Sequence, residues 1–292
     1  VCGRSYVWDA TPVGSMNETV IAHDVFFVPG EFRTVQEAVD AVVRPTTIMI
    51  EPGLYAESVQ VAAVENLVIE STRLSRRGVV LAGSEGQAVL SVRDSVLHLS
   101  GIEVRSNARL RGMIVNDSSV SLQECVVAGN RIDDGVREAF GAGMLCRRSL
   151  VRIQKSTVAG NTVDCRSAAS AGGGGLYFED CRIELAGSSV QVNAVYAGVE
   201  ARGGGIWSER SRVRMWRSRV TDNLLQADVA EGGGIYLRNS IDCQLGGSVI
   251  TGNGGALVRG GGLFVTESAG NVSIHGNTVV RQNHPDDRVI DQ

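Results

Sequence analysis

"EGGGIYLRNSIDCQLGGSVITGN" occupies residues 231–253. Three glycines precede a short apolar stretch, and an asparagine closes the phrase. The same order returns at 202–223, "RGGGIWSERSRVRMWRSRVTDN", and at 172–193, "GGGGLYFEDCRIELAGSSVQVN". Self-similarity at a fixed period marks a repeat architecture. Aligned on the asparagine, Asn107, Asn130, Asn161, Asn193, Asn223, Asn253 and Asn283 follow one another at 23, 31, 32, 30, 30 and 30 residues.

The columns around that asparagine carry the structure. Three positions before it stand Val104, Val127, Val158, Val190, Val220, Ile250 and Val280; five before stand Cys125, Ser156, Ser188, Ser218, Ser248 and Thr278. Eight and ten before it the residues are apolar, as in Leu122 with Val120 or Leu185 with Ile183, and between them runs His98, Ser121, Arg152, Glu184, Arg214, Gln244. Such alternation is a strand with one face buried. Gly112, Gly143, Gly175, Gly205, Gly234 and Gly262 each precede an aliphatic residue and open a further strand. Three short strands per repeat, with no helical pattern, predict an all-β fold: a single right-handed parallel β-helix of about nine rungs stacked at roughly 4.8 Å.

Asparagines in register predict a hydrogen-bonded ladder inside a bend, and Asn also tolerates a left-handed backbone there. The glycines predict positive φ and close backbone approach. Flexible linkers would not keep this register. A phosphate loop is a weaker reading still, because no Lys-Ser/Thr follows the glycines and a strand comes next.

Composition agrees. Glycine makes up 36 of 292 residues, above the usual ~7%, while aromatics are 5%, which suits thin repetitive β structure. The net charge of −4 gives no argument for a nucleic-acid partner. No apolar run approaches the ~18 residues of a membrane span. Lys155 is the one lysine among 28 basic residues. The opening "VCGRSYVWDA" does not look like a natural start, so the lack of a visible leader says little about compartment.

Ahead of the repeats, "EFRTVQEAVDAV" (31–42) predicts an amphipathic helix, with Thr34 and Glu37 at capping-box spacing and Phe32, Val35, Val39 and Val42 on one side. A helix there would cover the open end of a solenoid. "TTIMIEPGLYAESVQV" (46–61) reads as strand, Pro-Gly turn, strand. The expected organisation is an N-terminal extension over 1–30, the β-helix over 31–283 with its capping helix at 32–42, and a tail over 284–292.

The stretch "FRTVQEAVDAV…IMIEPGLYAESVQV…LVIES" resembles the opening of pectin methylesterases and other members of the pectin-lyase-like superfamily. The "GGGI…N" repeats resemble those of bacterial surface proteins, including polymorphic outer-membrane proteins. The resemblance covers about residues 30–283. It implies the fold, and it implies a secreted or cell-surface bacterial protein without settling its activity, since the superfamily holds lyases, hydrolases, esterases, epimerases and non-catalytic adhesins. It also implies a cleft over the strand bearing the His98–Gln244 column. The Asp-bearing strand expected of the esterases is missing. "RIDDGVRE" (131–138), "SIHGN" (273–277) and "VRIQK" (151–155) match the hydrolase pattern poorly and in the wrong order, and "HPDD" (284–287) reads as tail.

Candidate site residues follow from the outward columns. Arg212, Arg214, Glu184 and Asp242 are the candidates for acid–base chemistry on an acidic glycan, or a charge ladder supporting rung stacking. Tyr177, Trp207, Tyr236 and Phe264 form an outward aromatic stripe, suited to stacking on sugar rings if exposed and a second small core if covered. The long inserts at 131–141, 162–173, 194–203, 224–232 and 254–260 stack beside it as loops. Asp133, Asp134 and Glu138 are the compact acidic group that could take Ca2+; otherwise no cofactor is expected. Cys125, Cys146, Cys181 and Cys243 read as small buried residues, and Cys2 and Cys165 could pair. The expected partner is a polysaccharide or surface glycan bound along one lateral face; the rivals are a polysaccharide lyase or hydrolase and a non-binding stalk.

Overall fold

The computed structural model describes residues 23–72, 78–83, 85–106, 108–134, 138–266 and 271–290. Asn107 and Cys2 lie outside them. Three parallel sheets form the sides of a right-handed β-helix. Sheet 1 has ten strands, from Asp24–Val28 to Val272–His275; sheet 2 has nine, from Gly53–Tyr55 to Val279–Arg281; sheet 3 has nine, from Val59–Ala62 to Arg288–Ile290. The rung count therefore depends on the side on which it is made.

The aligned columns are the rungs. In sheet 1, Val120, Val151, Ile183 and Val213 stack in register and are buried. The residue between each inward pair points to solvent, as alternation requires. At the corner between sheets 3 and 1 one residue per rung takes a left-handed backbone: Asp117, Arg148, Asp180 and Arg210 at φ 49°, 46°, 54° and 47°. That single residue turns the chain while the strands on both sides stay extended.

The asparagine bend explains the opening phrase. The Nδ2 of Asn130, Asn161, Asn193, Asn223 and Asn253 donates to Oδ1 of the next asparagine at 2.9, 2.9, 2.9, 2.8 and 2.9 Å. The backbone N–H of Asn193 donates to the same Asn223 Oδ1 at 3.0 Å. From Asn161 to Asn283 each amide oxygen thus accepts from the rung before it, which burial requires, while Asn130 Oδ1 at the head of the ladder has no partner among the described residues. The glycine before each sheet 3 strand passes against this ladder. A Cβ on Gly205 would lie 2.7 Å from the Gly234 carbonyl oxygen and 2.9 Å from Asn223 Nδ2. No side chain fits between the ladder and the next rung. Gly232, the first glycine of the quoted stretch, has φ +69°. The left-handed residue of the asparagine bend is not the asparagine, as expected from sequence, but its predecessor: Gly160, Val192, Asp222 and Gly252. The asparagine is there for its side chain.

A second ladder runs between sheets 1 and 2. The hydroxyls of Ser156, Ser188, Ser218 and Ser248 accept from the backbone N–H one rung earlier at 3.0, 3.2, 3.2 and 3.1 Å. Cys125, Cys146, Cys165, Cys181 and Cys243 are buried and unpaired. Burial pushes the thiols of Cys125, Cys165, Cys181 and Cys243 up to about 11.

The ends are closed differently. The helix is Val35–Asp40, shorter than the 32–42 span predicted, with the Thr34–Glu37 capping box formed. Glu57 accepts from the free Val35 and Gln36 N–H groups at 2.9 Å each, and Val35, Ala38 and Val39 enter the core. Residues 24–28 of the expected extension form the first strand of sheet 1, and 288–290 of the expected tail form the last strand of sheet 3. The tail also ends the ladder: Asp287 Oδ1 accepts from Asn283 N–H at 3.0 Å and Nδ2 at 3.2 Å, in the role of a further asparagine.

The long inserts are strands rather than loops. Arg131–Asp133, Thr162–Cys165, Ala194–Ala197 and Leu224–Gln226 form sheet 4; Ser170–Gly172, Glu200–Arg202, Val229–Glu231 and Val258–Arg259 form sheet 5. Together they make a flap with its own core of Ile132, Val163, Cys165, Val195, Ala201 and Leu225. Inserts of near-equal length at the same point of successive rungs can pair with one another as the parent strands do.

Candidate functional site

The aromatic stripe lies beneath this flap. Tyr177, Trp207, Tyr236 and Phe264 are 4%, 3%, 2% and 1% exposed, so the covered alternative holds and the four are not a surface for sugar stacking. Phe140, at the flap's first rung, stacks on Tyr177 with centroids 4.9 Å apart; Tyr177–Trp207 and Trp207–Tyr236 meet edge to face at 5.3 and 5.5 Å. Arg202, from sheet 5, lies over the Trp207 and Tyr236 rings at 5.8 and 5.5 Å. Desolvation pushes the Tyr177 and Tyr236 hydroxyls up from their ordinary value. At Tyr236 the Arg202 guanidinium works against that rise, because it favours the charged form.

The acidic group does not converge. Asp133 pairs with Arg109, Asp134 accepts from the Ser167 N–H and hydroxyl at 2.9 and 2.6 Å, and Glu138 forms a two-pronged pair with Arg147 at 3.0 Å. Among the described residues no three His, Cys, Asp or Glu side chains gather at one point. Asp133 and Glu138 tie the flap to the rungs and Asp134 joins one flap insert to the next, rather than the three facing one cation.

A charged ladder runs along the corner where sheet 3 ends. Arg147, Glu179, Glu209 and Arg238 stack in register. Arg147 Nε lies 2.8 Å from Glu179, Arg238 Nη2 lies 2.7 Å from Glu209, and Arg210 reaches both glutamates. Burial acts to raise the Glu179 carboxyl, but the hydrogen bonds from Arg147 and Arg210 outweigh it and hold the group below its ordinary value. Both acids are committed to arginines, so this corner joins rungs and leaves no carboxylate free to take a proton.

The outward face of sheet 1 holds the four acid–base candidates. Glu184 and Arg214 are register partners, as are Arg182 and Arg212. Glu184 receives Arg152 at 3.1 Å and Arg182 at 3.4 Å; Asp242 accepts from Gln244 at 3.0 Å and lies 3.8 Å from Arg214. The acids are therefore neighbours of cations in a ladder, which was the second of the two readings. Arg212, Arg217 and Arg219 form no ion pair among the described residues, although all three are exposed on the same rung.

Trp216, which the sequence reading passed over, shares the outward face of sheet 1 with Arg212 and Arg214; Arg217 stands at the corner that follows, and Arg219 opens the next strand, in sheet 2. Its side chain is 51% exposed. Trp216, Gly246 and His275 are register partners in successive rungs. The indole leans across the middle one: a Cβ on Gly246 would lie 2.2 Å from ring carbon Cζ3. The His275 ring is 5.6 Å away, centroid to centroid, tilted by 51°. Glycine therefore provides the floor on which the ring rests. The signal was present in the outward column Gln123, Gln154, Ala186, Trp216, Gly246, His275, where the largest side chain adjoins the smallest. What the surface offers chemically is an aromatic face with an unpaired guanidinium at the adjoining corner, Arg217, and another along the same strand, Arg212, which suits binding of an anion-bearing ring.

The architecture is that of a parallel β-helix, and the chain belongs to the family described as right handed beta helix region, which matches residues 51–283. No curated protein matches the chain. Among solved structures it is similar to a pectin methylesterase from Aspergillus niger, at 13% identity and TM-score 0.46 over 88% of this chain and 87% of that one. It is similar to pectin methylesterase PemA from Erwinia chrysanthemi, at 12% identity and TM-score 0.38 over 89% and 93%. The pectin methylesterase from carrot gives 13% identity and TM-score 0.41 over 97% and 90%.

Proposed function

We propose that the protein is a secreted or surface-displayed β-helix that binds an acidic polysaccharide along the outward face of sheet 1. The observation that carries this reading is the half-exposed Trp216 ring, laid on Gly246, with the unpaired Arg212 on the same outward face of sheet 1 and the unpaired Arg217 at the corner that follows. A pyranose ring stacks on the indole, and its carboxylate or sulfate meets the unpaired arginines. Binding is favoured over catalysis because Glu184 sits between two arginines and Asp242 is engaged by Gln244. A stalk would have no use for an exposed indole with a glycine beneath it.

Affinity electrophoresis and calorimetry with polygalacturonate and a sulfated galactan test the proposal. Trp216→Ala should weaken binding about tenfold or more, the scale of an aromatic anchor, while the melting temperature stays near that of the wild type. Arg212→Ala should weaken binding and flatten its salt dependence. Absence of binding to either polymer, or an unchanged affinity in Trp216→Ala, would refute the reading. Export belongs to the same proposal, and immunodetection on intact native cells and in their medium checks it.

A further inference from the structure

The flap begins at residue 131, so the first rungs of sheet 3 have no cover. The outward column of that sheet changes character at the same place. Under the flap it is Leu145, Tyr177, Trp207, Tyr236 and Phe264; ahead of it stand Gln60 and Ser91, with Ile114 at the junction. Two adjoining cavities of about 540 and 350 Å³ lie over this uncovered head and share Gln60, Gly86, Gln87 and Ser91. Either is within the ~300–1,000 Å³ of small-ligand clefts.

We infer that this groove is a second binding site, for a short neutral oligosaccharide. The side chains of Gln60, Gln87, Ser91 and Asn116 line it and make no hydrogen bond among the described residues. Each can both donate and accept. Hydroxyl groups have the same double capacity, whereas an anion needs donors and a cation needs acceptors. Of the charged residues in the lining, Glu57 is occupied by the Val35 and Gln36 N–H groups at 2.9 Å and Arg93 lies 3.7 Å from Asp94, while the exposed Glu85 adds an acceptor for a hydroxyl. Ile114 closes the far end, packed on its other side against the aromatic cluster, and supplies an apolar surface for the C–H face of a sugar ring.

The occupant is not a peptide adding as a strand. The floor is the face of a sheet, and the outer edge of its last strand, Val59–Ala62, is engaged at its centre by Gln36, whose Oε1 accepts from the Gln60 N–H at 2.6 Å and whose Nε2 donates to the Gln60 carbonyl at 3.2 Å. Strand addition needs a free edge. Recognition here falls to side chains alone. The site stands apart from the sheet 1 face and does not depend on the reading given to it.

The test uses the full chain and an array of neutral gluco-, xylo-, manno- and galacto-oligosaccharides, followed by calorimetry on any that bind. At least one series should bind. Ser91→Tyr places a ring over the floor and should weaken that binding by about tenfold or more, a change of about 1.4 kcal/mol. Gln60→Ala and Gln87→Ala should each weaken it about threefold to tenfold, the scale of a lost hydrogen bond. Trp216→Ala should leave it unchanged. Thermal melts accompany each variant, and if Ser91→Tyr does not fold, the two glutamine variants carry the test. Absence of any neutral ligand at millimolar concentration overturns the inference. So does a neutral ligand whose affinity survives both glutamine variants, or one lost in Trp216→Ala. Binding of uronate oligomers alone, sensitive to Gln60→Ala, overturns the assigned class.

Discussion

Asn223→Ala removes one step of the asparagine ladder, and the structure lets its cost be worked out. Asn223 Oδ1 accepts from Asn193 Nδ2 at 2.9 Å and from Asn193 N–H at 3.0 Å. Asn223 Nδ2 donates to Asn253 Oδ1 at 2.8 Å and to the Val190 carbonyl at 3.1 Å. Two of the partners keep another bond: Asn193 Nδ2 still reaches the Val158 carbonyl at 3.2 Å, and Asn253 Oδ1 still accepts from Asn223 N–H at 3.1 Å. The Asn193 N–H loses its side-chain acceptor in a buried bend, and stranding such a donor costs about 1–3 kcal/mol. Adding about 1 kcal/mol for the remaining bonds gives a loss of about 2–4 kcal/mol. Asn283→Ala should cost less, because Asn283 is 8% exposed at the end of the ladder and water can reach the groups it leaves. Equilibrium denaturation in urea, read by both tryptophan fluorescence and circular dichroism, measures the difference. Two probes are needed because a solenoid can unfold rung by rung. If Asn223→Ala and Asn283→Ala both lie within about 0.5 kcal/mol of the wild type, the scale of an ordinary surface substitution, the ladder is not a source of stability and the reasoning fails.

Trp207→Ala should destabilise by about 3–5 kcal/mol through loss of a buried aromatic, with no effect on ligand binding by the intact fraction; a soluble, fully stable variant would contradict the covered stripe. Gly205→Ala should destabilise strongly in thermal melts, since its Cβ would lie 2.7 Å from the Gly234 carbonyl and a parallel rung cannot move alone; a variant melting with the wild type would show that the rungs have slack. The Glu179 carboxyl is held below its ordinary value, so its contribution is present above the unfolded-state pKa of ~4.3 and is lost as pH falls through the lower folded value. Glu179→Gln should therefore lessen the loss of stability below about pH 4, and identical acid-unfolding curves for the two proteins would remove the corner ladder from the account.

The fold was legible because its signals are local and repeated. Each copy of the phrase carries its own alternation, glycine and asparagine, and the copies confirm one another: Val127, Val158, Val190 and Val220 could not keep their distance from Asn130, Asn161, Asn193 and Asn223 by accident. The N-terminal helix was legible for the same reason, since a capping box and four apolar positions specify it without reference to the remainder of the chain. What the inserts do was less legible. Thr162–Cys165 and Glu200–Arg202 are short strands, and most of their stabilisation comes from neighbours a full repeat away. Read singly, each looks like a loop.

The position proposed for the binding surface depended on that one point. Alternation places Tyr177, Trp207, Tyr236 and Phe264 on the outside of sheet 3, and in that respect the reading of the column was sound. Whether the outside of a sheet meets solvent is a question of what lies above it. Here sheet 5 does, and Arg202 closes over the rings. The same alternation places Trp216 outside sheet 1, where no insert folds back, because all the long inserts leave the chain after sheet 2 and return before sheet 3. A single insertion point in each rung therefore covers one face and leaves another bare. The surface available for a partner is set by where the repeat grows as much as by which residues it carries, and this is why one exposed tryptophan outweighs a row of four buried aromatics in assigning the site.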